Sequence, residues 1–164
     1  MLIRHHWKTS LLPGLLAVKT IKMLPFRWNN ELYSLGLSVM DDTHKEFIEL
    51  YNTLLNSDDV SFTALFNEFS EHIHHHFNSE NELMEQSCFP AISEHKAEHQ
   101  RVLNDLKYLE SKVKDNKLSF SRFYIKERIP EWFKLHLATM DSALAAHLKS
   151  KPILPAEKFH EKSF

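Results

Sequence analysis

The chain has 164 residues, 43% of them hydrophobic and 26% charged, enough apolar material for one compact domain with its own core. With only two glycines, Gly14 and Gly36, it lacks the means for glycine-rich phosphate loops, dinucleotide fingerprints and turn-rich all-β architectures; a formal charge of -2 without a long Lys/Arg cluster argues against a nucleic-acid partner. The lone Cys88 rules out an intramolecular disulfide and a CxxC site, and a reducing, cytoplasmic setting is expected.

Residues 1–23 carry Arg4, Lys8, Lys19 and Lys22 with no acid. They read as a basic leader, either an extension upstream of a start at Met23 or a disordered segment. A cleaved signal fits poorly, because the apolar run Leu11–Val18 is short and no A-x-A pattern follows. No apolar run approaches the roughly 20 residues needed to cross a bilayer, so no membrane association is expected. A domain is expected over 24–149.

Its first helix runs from about Leu37 to Asn56, where Met40, His44, Phe47 or Ile48, Tyr51 and Leu55 recur at the three-or-four spacing of one face. Asn56-Ser57-Asp58-Asp59 breaks it. Ser61 is expected to cap a second helix with the stripe Leu65, Phe69, Ile73, His76, Glu80 and Leu83 or Met84, ending near Cys88-Phe89-Pro90. A third helix starts at about Ala91, places His95, His99, Val102, Leu106, Leu109 and Val113 inward, and stops around Asp115-Asn116. The fourth carries Ile125, Ile129, Trp132, His136, Met140 and Leu144 to about Leu148, with Pro130 starting or kinking its main segment. Short links between four amphipathic helices predict an all-α, up-down-up-down antiparallel four-helix bundle. Residues 150–164, with two prolines, read as a flexible tail.

Twelve histidines are the conspicuous feature. His44, His76, His95, His99 and His136 lie on the apolar stripes, together with Glu80. Burying five rings and an acid without compensation is prohibitive, and a bound cation supplies that compensation. His76/Glu80 and His95/His99 are i,i+4 pairs, each able to chelate from one helix face. Asp141 stands five residues after His136, a rotation of roughly 140° in a regular helix. A local π turn between them is therefore expected, to bring both to one face.

His44, then His76-Phe77 with Glu80, then His95-x3-His99, then Trp132-x3-His136-x4-Asp141 resembles hemerythrin, in its single-domain bacterial form, from Trp28 to about Leu148. The Asp41-x2-His44-Lys45 approach and the Cys88-Phe89-Pro90 turn are similar too; Asp42-Thr43 and Asn81 depart from the bacterial pattern. The resemblance implies two iron ions with an oxo or hydroxo bridge. His95, His99 and His136 would hold one, His44 and His76 the other, and Glu80 and Asp141 would bridge. It also implies that Phe47, Phe77, Trp132 and Leu137 line an oxygen pocket, and that the chain binds dioxygen reversibly rather than acting as an enzyme.

The His72-Ile73-His74-His75-His76 run also reads as a nonspecific metal-binding tract, with His74 and His75 expected off the core and His147 near a helix C-terminal dipole. Rival functions are a di-iron enzyme acting on peroxide or nitric oxide, and a metal-dependent sensory module with an unidentified protein partner. A monomer is expected rather than an oligomer.

Overall fold

In a computed structural model, residues 25–151 are described; the leader expected over 1–23 and all but the start of the expected tail lie outside them. A single short turn, α1 (Asn30–Tyr33), precedes α2 (Ser38–Leu55), α3 (Asp59–Ser87), α4 (Ile92–Lys114) and α5 (Leu118–His136). A π turn over Leu137–Asp141 then leads into α6 (Ser142–Ser150). Helix α2 packs on α3, α3 on α4, α4 on α5, and α5 closes back on α2. The links between them are too short for crossovers, so consecutive helices alternate in direction and form the bundle that the periodicity predicts.

Helix boundaries follow from identifiable caps. The α3 cap is Asp58, not Ser61: an Asp58 carboxylate oxygen accepts from the Ser61 N–H at 2.8 Å and from its hydroxyl at 2.6 Å. Asp58 holds the extended backbone an N-cap needs, whereas Ser61 is already inside the first turn. The same helix stops at Cys88, whose φ of 53° turns the chain so that the Phe89 N–H reaches the Met84 carbonyl at 2.9 Å. Pro130 does not start the fourth helix, which begins twelve residues earlier at Leu118 and runs through it.

Before α2 the chain is tied down on both sides. Phe26 exchanges two hydrogen bonds with Asn52 and packs edge-on against Tyr33, Tyr51 and Phe133. Asp41, on the first turn of α2, accepts from the Ser34 hydroxyl at 2.6 Å and from the Leu35 and Gly36 N–H groups at 2.7 and 3.1 Å. Lys149 donates to the Leu35 carbonyl from the other end of the domain. Gly36 has a φ of +68°, which strains any residue with a Cβ, and a Cβ there would also stand 3.0 Å from the Lys149 Nζ and push that side chain aside.

Burial pushes the Asp41 carboxyl up, but its three donors and the nearby His44 outweigh this and hold it below the usual carboxylate range. A lowered folded value means that the contribution is complete above the ordinary carboxylate range and is lost as pH falls through the folded value. Asp41→Asn, which turns a donor toward donors, is expected to cost the metal-free protein about 1–2 kcal/mol near neutral pH. Thermal melts should show the gap between variant and parent closing as pH falls below about 4.

The interior divides lengthwise. Leu54, Phe62, Phe66, Leu106, Leu109 and Ile125 fill the half near the α2–α3 link. In the other half, buried His44, His76, Glu80, His95, His99, His136 and Asp141 replace apolar residues on the same stripes.

Candidate metal centre

Four helices and one π turn bring the seven polar residues together. From α2 comes His44; from α3, His76 and Glu80; from α4, His95 and His99; and from the end of α5, His136. Asp141 closes the π turn. That turn is as the five-residue spacing predicts: the Ser142 N–H bonds the Leu137 carbonyl, five residues back, and His136 and Asp141 share the inner face.

Each carboxylate divides its oxygens between ring sets. Glu80 Oε1 lies 2.9 Å from His76 Nε2 and 3.7 Å from His44 Nε2, while its Oε2 lies 3.1 Å from His99 Nε2 and 3.5 Å from His95 Nε2. Asp141 Oδ2 lies 3.3 Å from His44 Nε2, and its Oδ1 lies 3.1 Å from His136 Nε2 and 3.3 Å from His95 Nε2. Two overlapping donor groups result, Glu80 with His95, His99 and His136, and Glu80 with His44 and His76.

His76 Nε2 and Glu80 Oε1 form a hydrogen bond, and His95 and His136 meet Nε2 to Nε2 at 3.2 Å, but the remaining contacts within the cluster are not hydrogen bonds. His44 Nε2, His99 Nε2, Glu80 Oε2 and Asp141 Oδ1 are buried and have no hydrogen-bond partner despite neighbours within 4 Å. Lone pairs left unmatched in a dry interior are costly, and neutral imidazoles with carboxylates form the donor set that transition-metal cations take. The residues fit a metal centre.

The charge balance agrees. Burial and mutual repulsion with Glu80 push the Asp141 carboxyl up, yet His136, His44 and His95 hold it well below the usual range. Burial alone likewise raises Glu80, and the surrounding rings reverse this, with His76 foremost. The converse holds on two rings: burial lowers His44 and His95, but Asp141 and Glu80 override it and raise both to about 9. His99, where burial dominates, is lowered.

Of the residues expected to line a pocket, Phe77 stacks on His99 with centroids 3.8 Å apart. Phe47 is fully buried, and Leu137 is buried within the π turn. Trp132 stacks on His136 at 5.0 Å but is only half-buried. The residue that sequence reasoning missed is Phe133, which occupies the stripe position expected for Trp132. It lies 5.6 Å from the His44 ring and stacks on Phe47 at 4.7 Å. The four-residue steps Ile125, Ile129, Phe133 are the signal that would have found it. Met140, also expected inward, is half-buried because the π turn rotates it away.

His74 and His75 are exposed, as expected. His72 is half-buried with its Nδ1 3.9 Å from Glu46, and burial together with neighbouring His76 lowers it to about 4. His147 lies in the last turn of α6, at the helix end where it is expected, and its Nε2 also donates to the Ser87 carbonyl at the end of α3 at 3.0 Å. His99 donates from Nδ1 to the Asn81 side chain at 3.3 Å, so a neutral amide backs that ring.

Residues 35–148 match the family profile described as "Hemerythrin HHE cation binding domain". The chain is 34% identical to the bacteriohemerythrin of Aquifex aeolicus over 125 residues, covering 73% of this chain and 95% of that protein. It is 29% identical over 125 residues to the bacteriohemerythrin of Ralstonia nicotianae, covering 76% and 90%. The crystal structure of wild-type hemerythrin superposes with a TM-score of 0.68 at 19% identity, over 76% of this chain and 98% of that one. A match over most of the chain, by sequence and by fold, makes this protein a member of the hemerythrin HHE cation-binding family.

Proposed function

We propose that the cluster holds two iron ions and binds dioxygen reversibly, for storage, delivery or sensing. His95, His99 and His136 would hold one ion, His44 and His76 the other, with Glu80, Asp141 and an oxo or hydroxo group between them. The observation that carries this reading is the split of each carboxylate, one oxygen toward His44 and the other toward the α4 and α5 rings. Such a split suits a pair of cations better than a single one. Two ferrous ions supply two electrons to dioxygen and recover them on its release.

The remaining chemistry belongs to the protein. Three rings against two leave the His44/His76 side with fewer donors; Phe133 lies 5.6 Å from the His44 ring and Phe77 5.6 Å from the His76 ring, and with buried Phe47 and Leu137 they exclude water and stray protons while admitting a small neutral molecule. The bacteriohemerythrin name of both relatives supports the same reading. Binding is favoured over oxidase turnover by a donor set richer in histidine than the carboxylate-dominated sets of ferritin-like bundles.

Anaerobic reconstitution with ferrous iron, followed by metal analysis and visible absorption before and after air, tests this. Two irons per chain and a charge-transfer band that disappears on deoxygenation are expected. A colourless protein with one zinc and no response to oxygen overturns it.

A further inference from the structure

Between α4 and α5 lies a surface groove of about 640 Å³ floored by Val102, Leu106 and Ile129. Trp132 lines it, and the same indole reaches inward to His136 at 5.0 Å, Phe77 at 6.0 Å and Phe47 at 6.3 Å. Among the groove residues it alone stands in ring contact with the buried cluster. It is thus a wall shared by solvent and centre.

That wall is clamped. Trp132 Nε1 donates to Glu98 Oε1 at 2.9 Å. Glu98 is itself held by Arg101, whose Nε and Nη2 donate to its two oxygens at 2.9 and 2.7 Å. Arg101 also donates to Asp105 at 3.0 Å, and Asp105 accepts from the Tyr124 hydroxyl at 2.8 Å. Solvent-facing ion pairs add little to stability, so fold stability does not account for a five-residue chain that ends on one indole. Its geometric effect is to hold the Trp132 rotamer from α4 through Glu98, with Tyr124 of α5 anchoring the far end of the chain. A close-packed interior passes even a diatomic molecule only when a side chain moves, and Trp132 is the half-buried ring with groove on one side and cluster on the other.

We propose that Trp132 is the door by which a small neutral ligand passes from the α4/α5 groove to the centre, and that Glu98 and Arg101 are positioning residues that set how often it opens. The inference rests on the dioxygen reading above for the identity of the ligand, but not for the existence of the passage. Because a door is a barrier common to entry and exit, loosening it changes both rates by one factor and leaves affinity alone. A residue that instead shapes the centre moves affinity or the visible spectrum.

Glu98→Ala is expected to raise the dioxygen association and dissociation rates together, roughly tenfold, the weight of one charge-assisted hydrogen bond. Kd and spectrum should stay unchanged. Glu98→Gln, which keeps an oxygen acceptor for the indole, should remain near the parent rates. A second readout needs no metal: with Trp7→Phe and Trp28→Phe, Trp132 is the sole tryptophan, and acrylamide quenching of its fluorescence in the metal-free protein should rise in Glu98→Ala but not in Glu98→Gln. Unchanged quenching overturns the proposal, as does freed fluorescence with unchanged rates, or a shift in Kd at constant association rate. If the parent protein takes up no dioxygen, the oxygen reading falls, and quenching of the metal-free protein alone upholds or overturns the door.

Discussion

Glu80→Ala is expected to strip both of the proposed metal ions from the protein at once, whereas His76→Ala should leave one behind. Glu80 is common to both donor groups, and the Nε2 atoms of four rings, His44, His76, His95 and His99, lie within 3.7 Å of its oxygens. Two of these, His76 and His99, have no other carboxylate within 4 Å among the described residues, while His44 and His95 also face Asp141. Loss of the shared anion therefore removes a ligand from each ion and the charge that compensates a cation in a dry core. Outer partners of metal ligands already cost about 10- to 100-fold in affinity, so losing a shared ligand should cost at least roughly 100-fold at each ion. Metal analysis after desalting reads the outcome directly: near-zero iron in Glu80→Ala against one retained iron in His76→Ala. Retention of both ions in Glu80→Ala would remove it from the bridge.

Helices and ligand stripes were legible because burial enforces periodicity. The inward set read from α4, His95, His99, Val102, Leu106, Leu109 and Val113, is the buried set of the folded helix. The buried polar cluster was legible for the opposite reason, as polar side chains on faces that must be dry. What escaped the sequence depends on rotation of a few tens of degrees or on tertiary partners. Trp132 and Phe133 are adjacent aromatics, and a stripe drawn through Trp132 misses the four-residue steps Ile125, Ile129, Phe133 that put Phe133 inward; how α5 meets α2 then sets that ring against His44. Ser61 and Asp58 are both good caps; backbone conformation chose Asp58. The Glu98–Arg101 clamp has no signature in the helix periodicity, because the Trp132 N–H that Glu98 accepts from lies 34 positions away.

Moving the second carboxylate by a single residue should destroy the centre. In a regular helix a residue four after His136 lies about 40° from it, and one five after lies about 140° away. Met140→Asp combined with Asp141→Ala would therefore preserve the site if the turn were α-helical. Here the Ser142 N–H skips the Ala138 carbonyl to bond Leu137, and the Ser142 hydroxyl donates to the Ala138 carbonyl at 2.8 Å, so the carbonyl that the bulge passes over has a partner. This support keeps position 140 rotated outward, and the double variant is expected to lose the bridge with a drop in metal affinity of at least roughly 100-fold. Deleting Ala138 supplies the counterpart: it shortens the spacing to four, restores an unbroken helix and returns the carboxylate to the His136 face. That variant should keep its iron and gain about 1 kcal/mol from the regained backbone bond. Iron content and thermal shift on loading distinguish the two, and full iron in the double variant would mean that the loaded protein closes this turn as an α-helix.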